Sequence, residues 1–180
     1  MAATNPTRGG SATSRNEQTE PRPQKITTFL WFDNNAEEAA NFYCSVFKNS
    51  RVLNTSHYTE VGPGTKGSVM LVDFELDGQQ FTALNGGPTF KFTEAISLVV
   101  NCDTQEEVDY YWEKLSADGG QKVECGWVKD KYGLSWQVTP KILLELIQSG
   151  DSKKVDRVMR AMMTMKKIDI EDLKKAAEGV

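Results

Sequence analysis

Two stretches of the chain carry the same pattern, and this internal repeat constrains the fold more than any other feature. Lys25 to Phe32 (KITTFLWF) is β-branched and aromatic, the composition of a strand. Asp33-Asn34-Asn35 turns the chain, and Asn34/Glu37 or Asn35/Glu38 has capping-box spacing. Ala39, Phe42, Tyr43 and Val46 then recur at i, i+3, i+4 and i+7, the buried face of a helix. Ala95 to Val100 (AISLVV), the capping pairs Asp103/Glu106 or Thr104/Glu107, and the face Val108, Tyr111, Trp112 and Leu115 repeat that order. The paired acids Glu37-Glu38 and Glu106-Glu107 set the offset at 69 residues (106 − 37). Unlike residues keeping one pattern at a fixed offset indicate an old duplication.

The segments after the two helices agree with a duplication. Arg51 to Thr59, Gly67 to Leu76 and Gln79 to Leu84 read as strands after the first, with Asp77-Gly78 as a hairpin turn. Gln121 to Cys125, Trp127 to Lys131 and Leu134 to Thr139 come after the second. Each half is βαβββ. The expected fold is α+β: two tandem βαβββ modules, about 25–90 and 91–140, forming a curved, cup-like mixed sheet. Helices cover one sheet face, and the other is left to line a small-molecule cavity.

The flanks differ from this domain. Residues 1–24 are rich in Thr, Ser, Asn, Pro, Arg and Gly and nearly devoid of apolar side chains. Such a segment buries too little surface to offset its ordering entropy, and a disordered tail is expected. Residues 141–180 read as a helical extension: Lys141–Gln148, Asp151–Met165 and Asp169–Glu178, with an apolar stripe at Val155, Val158, Met159 and Met162. A net charge of −4 offers nucleic acid or an anionic membrane no bulk attraction. No apolar run is long enough to span a bilayer. Cys44, Cys102 and Cys125 are odd in number and widely spaced, the usage of reduced thiols in a cytoplasmic protein.

At this point the residues resemble a known family. FLWFDNNAEEAANFYCSVFKNS, FELDGQQFTALNGGPTFKFTEAISLVVNC, CGWVKDKYGLSWQVTP and RVMRAMMTMKKIDIEDLKKA together are similar to the vicinal oxygen chelate (glyoxalase and bleomycin-resistance) superfamily. Within it they resemble the PhnB-like, or 3-demethylubiquinone-9 3-methyltransferase-like, group. The resemblance implies paired βαβββ modules (the glyoxalase fold), a pocket and a homodimer. It also carries a methyltransferase label. A methyl donor such as S-adenosylmethionine usually rests on a Gly-rich strand-to-helix turn of a parallel sheet. The one G-x-G-x-x-G spacing, Gly62-Pro63-Gly64-Thr65-Lys66-Gly67, lies in a hairpin-like loop between strands rather than on a strand-to-helix turn, so the label is read as inherited.

The resemblance further implies metal ligands on the first and last strand of each module, where a catalytic divalent ion needs about three protein donors. Lys25 to Phe32 offers no His, carboxylate or Cys, and Phe81 to Asn85 offers only Asn85. In the second module Glu94 opens the strand, Ala95 or Ser97 occupies the expected ligand position, and Gln137 is the one matching group on the final strand. Glu94, Gln137 and Asn85 are hard oxygen donors that would suit at most a weak Mg²⁺- or Mn²⁺-like site. No metal ligand and no cofactor is therefore assigned. His57, the single histidine, lies off the ligand strands and excludes a Ser–His–Asp or Cys–His constellation.

The candidate ligand-binding residues are Trp31, Asn85, Ser97, Trp127, Trp136 and Gln137, with Glu94 a candidate general base if it is buried in the cup. Asn85-Gly86-Gly87-Pro88 is either a backbone approach to a ligand or a sharp connection needing positive φ. Asp130 is read as shaping a turn. The expected function is binding of a small organic molecule in the cup, with no reaction assigned. The alternatives are a metal-dependent lyase, isomerase or dioxygenase, or a non-catalytic dimeric binding module.

Overall fold

The structure is a computed structural model that describes residues 24–179. The tail expected over residues 1–24 therefore lies almost wholly outside the described residues. The first module contains β1 (Thr28–Phe32), α1 (Ala36–Val46), β2 (Arg51–His57), β3 (Val69–Leu76) and β4 (Gln79–Asn85). The second contains β5 (Ser97–Cys102), α2 (Gln105–Leu115), β6 (Gln121–Lys122), β7 (Trp127–Lys129) and β8 (Ser135–Pro140). The offset of 69 holds at both ends of the helix (105 − 36 and 115 − 46) and at the first residue of the leading strand (97 − 28).

The strands form two four-stranded sheets, β1-β4-β3-β2 and β5-β8-β7-β6. In each, the leading strand is an edge that runs parallel to the last strand, and the other pairings are antiparallel. The two sheets share no ladder among the described residues.

Several boundaries differ from the sequence pattern for local reasons. β6 stops at Lys122 rather than continuing to Cys125, because Cys125 and Gly126 both adopt positive φ (57° and 81°). Their amides instead donate to Met165 and Lys166 carbonyls. The helix expected over Asp151–Met165 ends at Met162, where Thr164 and Met165 tighten into i→i−3 hydrogen bonds.

The alternation of each strand decides what the sheets bury. Leu30, Phe32, Val72, Phe74, Phe81 and Ala83 point to the α1 side, where Ala36, Ala39 and Ala40 let the helix approach closely. Val100, Cys102, Val128, Trp136 and Val138 meet Val108, Trp112 and Leu115 of α2. These two sets form one continuous core. Tyr43 of α1 joins them, stacking on Phe74 of the first sheet (6.2 Å) and meeting Trp136 of the second (5.4 Å). Both sheets thus turn their helix-bearing faces toward the shared core and their other faces away from it.

Three further helices complete the chain: α3 (Lys141–Ile147), α4 (Ser152–Met162) and α5 (Ile170–Glu178). They close a second small core of Leu143, Val158, Ile168, Leu173 and Ala177. Gln105 at the start of α2 clasps this unit, donating to the Ile168 carbonyl (3.1 Å) and accepting from the Ile170 amide (2.9 Å). Arg157 donates to the Ala176 and Ala177 carbonyls and so satisfies the C-terminal end of α5.

Candidate functional site

The faces turned away from the core carry the candidate chemistry. On the first sheet the register aligns Phe29, Thr82 and Asp73 in one row and Trp31, Leu84 and Leu71 in the next. Thr82 Oγ1 donates to Asp73 Oδ1 at 2.7 Å. On the second sheet the rows are Val99, Gln137 and Trp127, then Ser97, Ser135 and Lys129. Gln137 Nε2 donates to Ser97 Oγ at 2.8 Å. Phe29 (56% exposed) and Val99 (48% exposed) stand on these faces without cover.

Of the residues singled out from sequence, Ser97, Trp127 and Gln137 gather on one sheet face. Trp31 lies on the corresponding face of the other sheet. Its indole N–H donates to the Gly87 carbonyl (2.8 Å), and its ring meets Phe90 edge-on at 4.9 Å. A Cβ at Gly86 would lie 2.3 Å from that ring, and Gly87 has φ +86°. The Gly-Gly pair is thus a sharp connection folded over Trp31.

Three expectations need correction. Trp136 is buried, packed on Tyr43 and Phe47 with its indole N–H on Asp130, because strand alternation puts it on the face opposite Gln137. It belongs to the shared core and, from there, borders the cavity beside β5 instead of the open sheet face. Asn85 has both side-chain atoms engaged: Oδ1 accepts from the Ala36 amide (2.8 Å) and Nδ2 donates to the Val69 carbonyl (3.0 Å). It caps α1, whose own N-cap residue Asn35 makes no side-chain capping bond. Glu94 is exposed rather than buried and is ion-paired with Lys129. That pairing holds its carboxyl below the usual range, opposite to what a general base at neutral pH requires.

The donors considered for a divalent ion do not converge. Asn85 is committed to α1, Glu94 to Lys129, and Gln137 to Ser97 on the other sheet. Among the described residues no group of three or more His, Cys, Asp or Glu side chains could hold a metal ion. Asn85, Glu94 and Gln137 thus do not form one donor set among the described residues. His57 lies on the edge strand β2 and is exposed.

Sequence reasoning missed the module junction. Asp130, 3% exposed, does shape its turn, accepting from the Tyr132 and Leu134 amides at Oδ1. Its Oδ2 also accepts from Tyr43 Oη and Trp136 Nε1, both at 2.8 Å. Burial raises its pKa, and the Trp136, Tyr43 and amide hydrogen bonds oppose that rise. Nearby, Glu38 accepts from Tyr132 Oη (2.7 Å) and Lys131 Nζ (3.0 Å), which hold its carboxyl below the usual range. An unusual aspartate flanked by lysines was the only sequence signal.

Three open cavities accompany this geometry. One of about 430 Å³ lies at the start of α1, roofed by the 62–65 loop. That Gly62-Pro63-Gly64 loop wraps Tyr58; a Cβ at Gly64 would lie 2.3 Å from the tyrosine ring. A second, of about 420 Å³, borders the free edge of β5 over Phe47 and Tyr111. A third, of about 350 Å³, sits at the module junction between Trp31, the 88–92 segment and the β7–β8 turn.

Two mixed four-stranded βαβββ sheets sharing one core, each with a free outer face, define a glyoxalase-fold protein. The model of the family described as 3-demethylubiquinone-9 3-methyltransferase matches residues 24–139, and the chain belongs to that PhnB-like family. Among solved structures, the PhnB protein from Bacillus cereus is 43% identical, with a TM-score of 0.58 over 65% of this chain and 99% of its own. A Pseudomonas aeruginosa protein at 18% identity and TM-score 0.54, covering 65% of this chain and 97% of its own, shares the fold. No curated protein matches the chain. The family match stops at residue 139, so α3 to α5 lie outside it. No helix among the described residues is long and apolar enough to cross a membrane.

Proposed function

We propose that the chain is a small-molecule-binding protein whose cup is built from the outer faces of its sheets and completed by a second copy. The observation that carries this reading is the character of those faces. Exposed apolar groups (Phe29, Val99) stand beside preformed polar pairs (Thr82–Asp73 and Ser97–Gln137). Ligand sites combine apolar walls with a few fixed polar groups in this way. Within one chain both outer faces point away from the shared core. A first sheet from one copy and a second sheet from another can face each other across a cavity, and the edge strands β1 and β5 are free to adjoin.

The reading includes neither metal chemistry nor methyl transfer. Asn85 and Glu94 have their oxygens engaged elsewhere, and the Gly62-Pro63-Gly64 loop packs on Tyr58 rather than opening a phosphate- or nucleotide-binding turn. Light scattering and native mass spectrometry of the purified protein test the reading. The expected result is a homodimer that retains or takes up a small organic ligand. Phe29→Asp and Val99→Asp should each dissociate it while leaving the fold intact, because neither side chain contributes to the core. A wild-type monomer that binds nothing overturns the proposal.

A further inference from the structure

The cavity at the module junction has a chemistry that the cup reading does not use. Its walls are Trp31, Phe90, Phe92 and Tyr132, and three lysines reach it: Lys91, Lys129 and Lys131. Trp31 and Phe90 meet edge-to-face at 4.9 Å, and Phe92 meets Phe32 at 5.2 Å, so the apolar walls hold one another in place.

The lysines are placed rather than loose. Among the ion-paired lysines, Lys131 and Lys129 have the least exposed side chains, 23% and 28%. Lys131 Nζ sits 5.1 Å from the ring centres of both Phe42 and Tyr132. Their carboxylate partners, Glu38 and Glu94, are far more exposed and lie outside the residues that line the cavity. An exposed carboxylate is well solvated and screened, so such a partner competes weakly with an anion inside. Lys91 makes no ion pair among the described residues and is exposed at the cavity mouth. Asp33 is the one acid on the lining.

From this arrangement we infer that the junction cavity binds an anionic aromatic small molecule, with its ring against the wall formed by Trp31, Phe90 and Tyr132 and its carboxylate or other acid group on Lys91, Lys129 and Lys131. Aromatic walls select a flat apolar body, and ammonium groups partly removed from water select its charge. Both modules contribute, so the site exists only when the junction is closed. It shares with the cup reading the idea of a small organic ligand, but its walls come from one chain.

Titration calorimetry with 1-naphthoate and its neutral analogue 1-naphthamide tests the inference on the full chain. Naphthoate should bind, naphthamide at least about tenfold more weakly, and added salt should weaken naphthoate selectively. Lys91→Gln, an exposed position with no partner to lose, and Lys131→Gln should each lower naphthoate affinity by about threefold to tenfold. The thermal unfolding curve and oligomeric state should be unchanged for Lys91→Gln. Equal binding of the amide, unaltered affinity in both lysine variants, or no naphthoate binding overturns the inference. Naphthoate binding that persists in the Phe29→Asp or Val99→Asp variants, despite loss of the dimer, supports this cavity independently of the cup. Failure of naphthoate to bind an intact dimer rejects the cavity alone.

Discussion

Tyr43 Oη donates to the buried Asp130 carboxylate at 2.8 Å across 87 residues of sequence. The bond ties α1 of the first module to the β7–β8 turn of the second, and Trp136 shares the same oxygen. A buried carboxyl group with four donors is well satisfied, and replacing one of its oxygens by an NH₂ group leaves donors without acceptors. In Asp130→Asn, whichever way the amide turns, two donors face an NH₂ group. We expect a loss of about 3 kcal/mol. Tyr43→Phe removes one donor and should cost about 1 kcal/mol. Urea denaturation of both single variants and the double variant should return a positive coupling energy; strict additivity would show that the two residues do not act together.

The same carboxylate carries a pH signature. Burial raises its folded pKa above the unfolded value, so the folded state holds its proton more tightly. Its contribution is fully present below the unfolded carboxylate pKa and declines as pH rises through the raised folded value. Across that acidic window, the stability advantage of wild type over Asp130→Asn should therefore shrink with rising pH. Chemical denaturation at a series of pH values reads this directly, and a growing advantage would contradict the assignment.

Asn85 provides a test of position against sequence spacing. Its side chain replaces the missing cap of α1 and anchors Val69. Asn85→Ala should destabilise by about 1–2 kcal/mol, seen as a lower thermal midpoint. If Asn85 were instead a dedicated ligand group, stability would be unchanged.

The C-terminal helices depend on Gln105. Replacing it by Ala removes both the donor to Ile168 and the acceptor for Ile170. Hydrogen exchange should speed up selectively over α4 and α5, and limited proteolysis should release the region after Pro140, while exchange in α1 and the first sheet stays as in wild type. Uniform protection would mean that the Met165 and Lys166 carbonyl bonds to Cys125 and Gly126 hold the unit without it.

Much of the architecture was legible in the residues themselves. The 69-residue offset located both helices because a 3.6-residue apolar period and a strand's alternation are local properties of the chain. Thr104 caps α2 as its spacing suggested, accepting from the Glu107 amide (3.3 Å). Ser97, Trp127 and Gln137 could each be named from the sequence, but their common face follows from the strand pairing.

Relationships between distant segments were beyond the reach of the sequence. The equivalent helix α1 has the same spacing as α2, yet its cap comes from Asn85, 49 residues from Ala36. Trp136 and Gln137 were equal candidates until packing against Tyr43 sent one into the core and left the other on the open sheet. Asp130 looked like a turn residue until the junction enclosed it. Local periodicity determined which faces each element presents; only tertiary packing decided which of those faces meet, because burial and hydrogen-bond satisfaction belong to the assembled modules and not to either repeat alone.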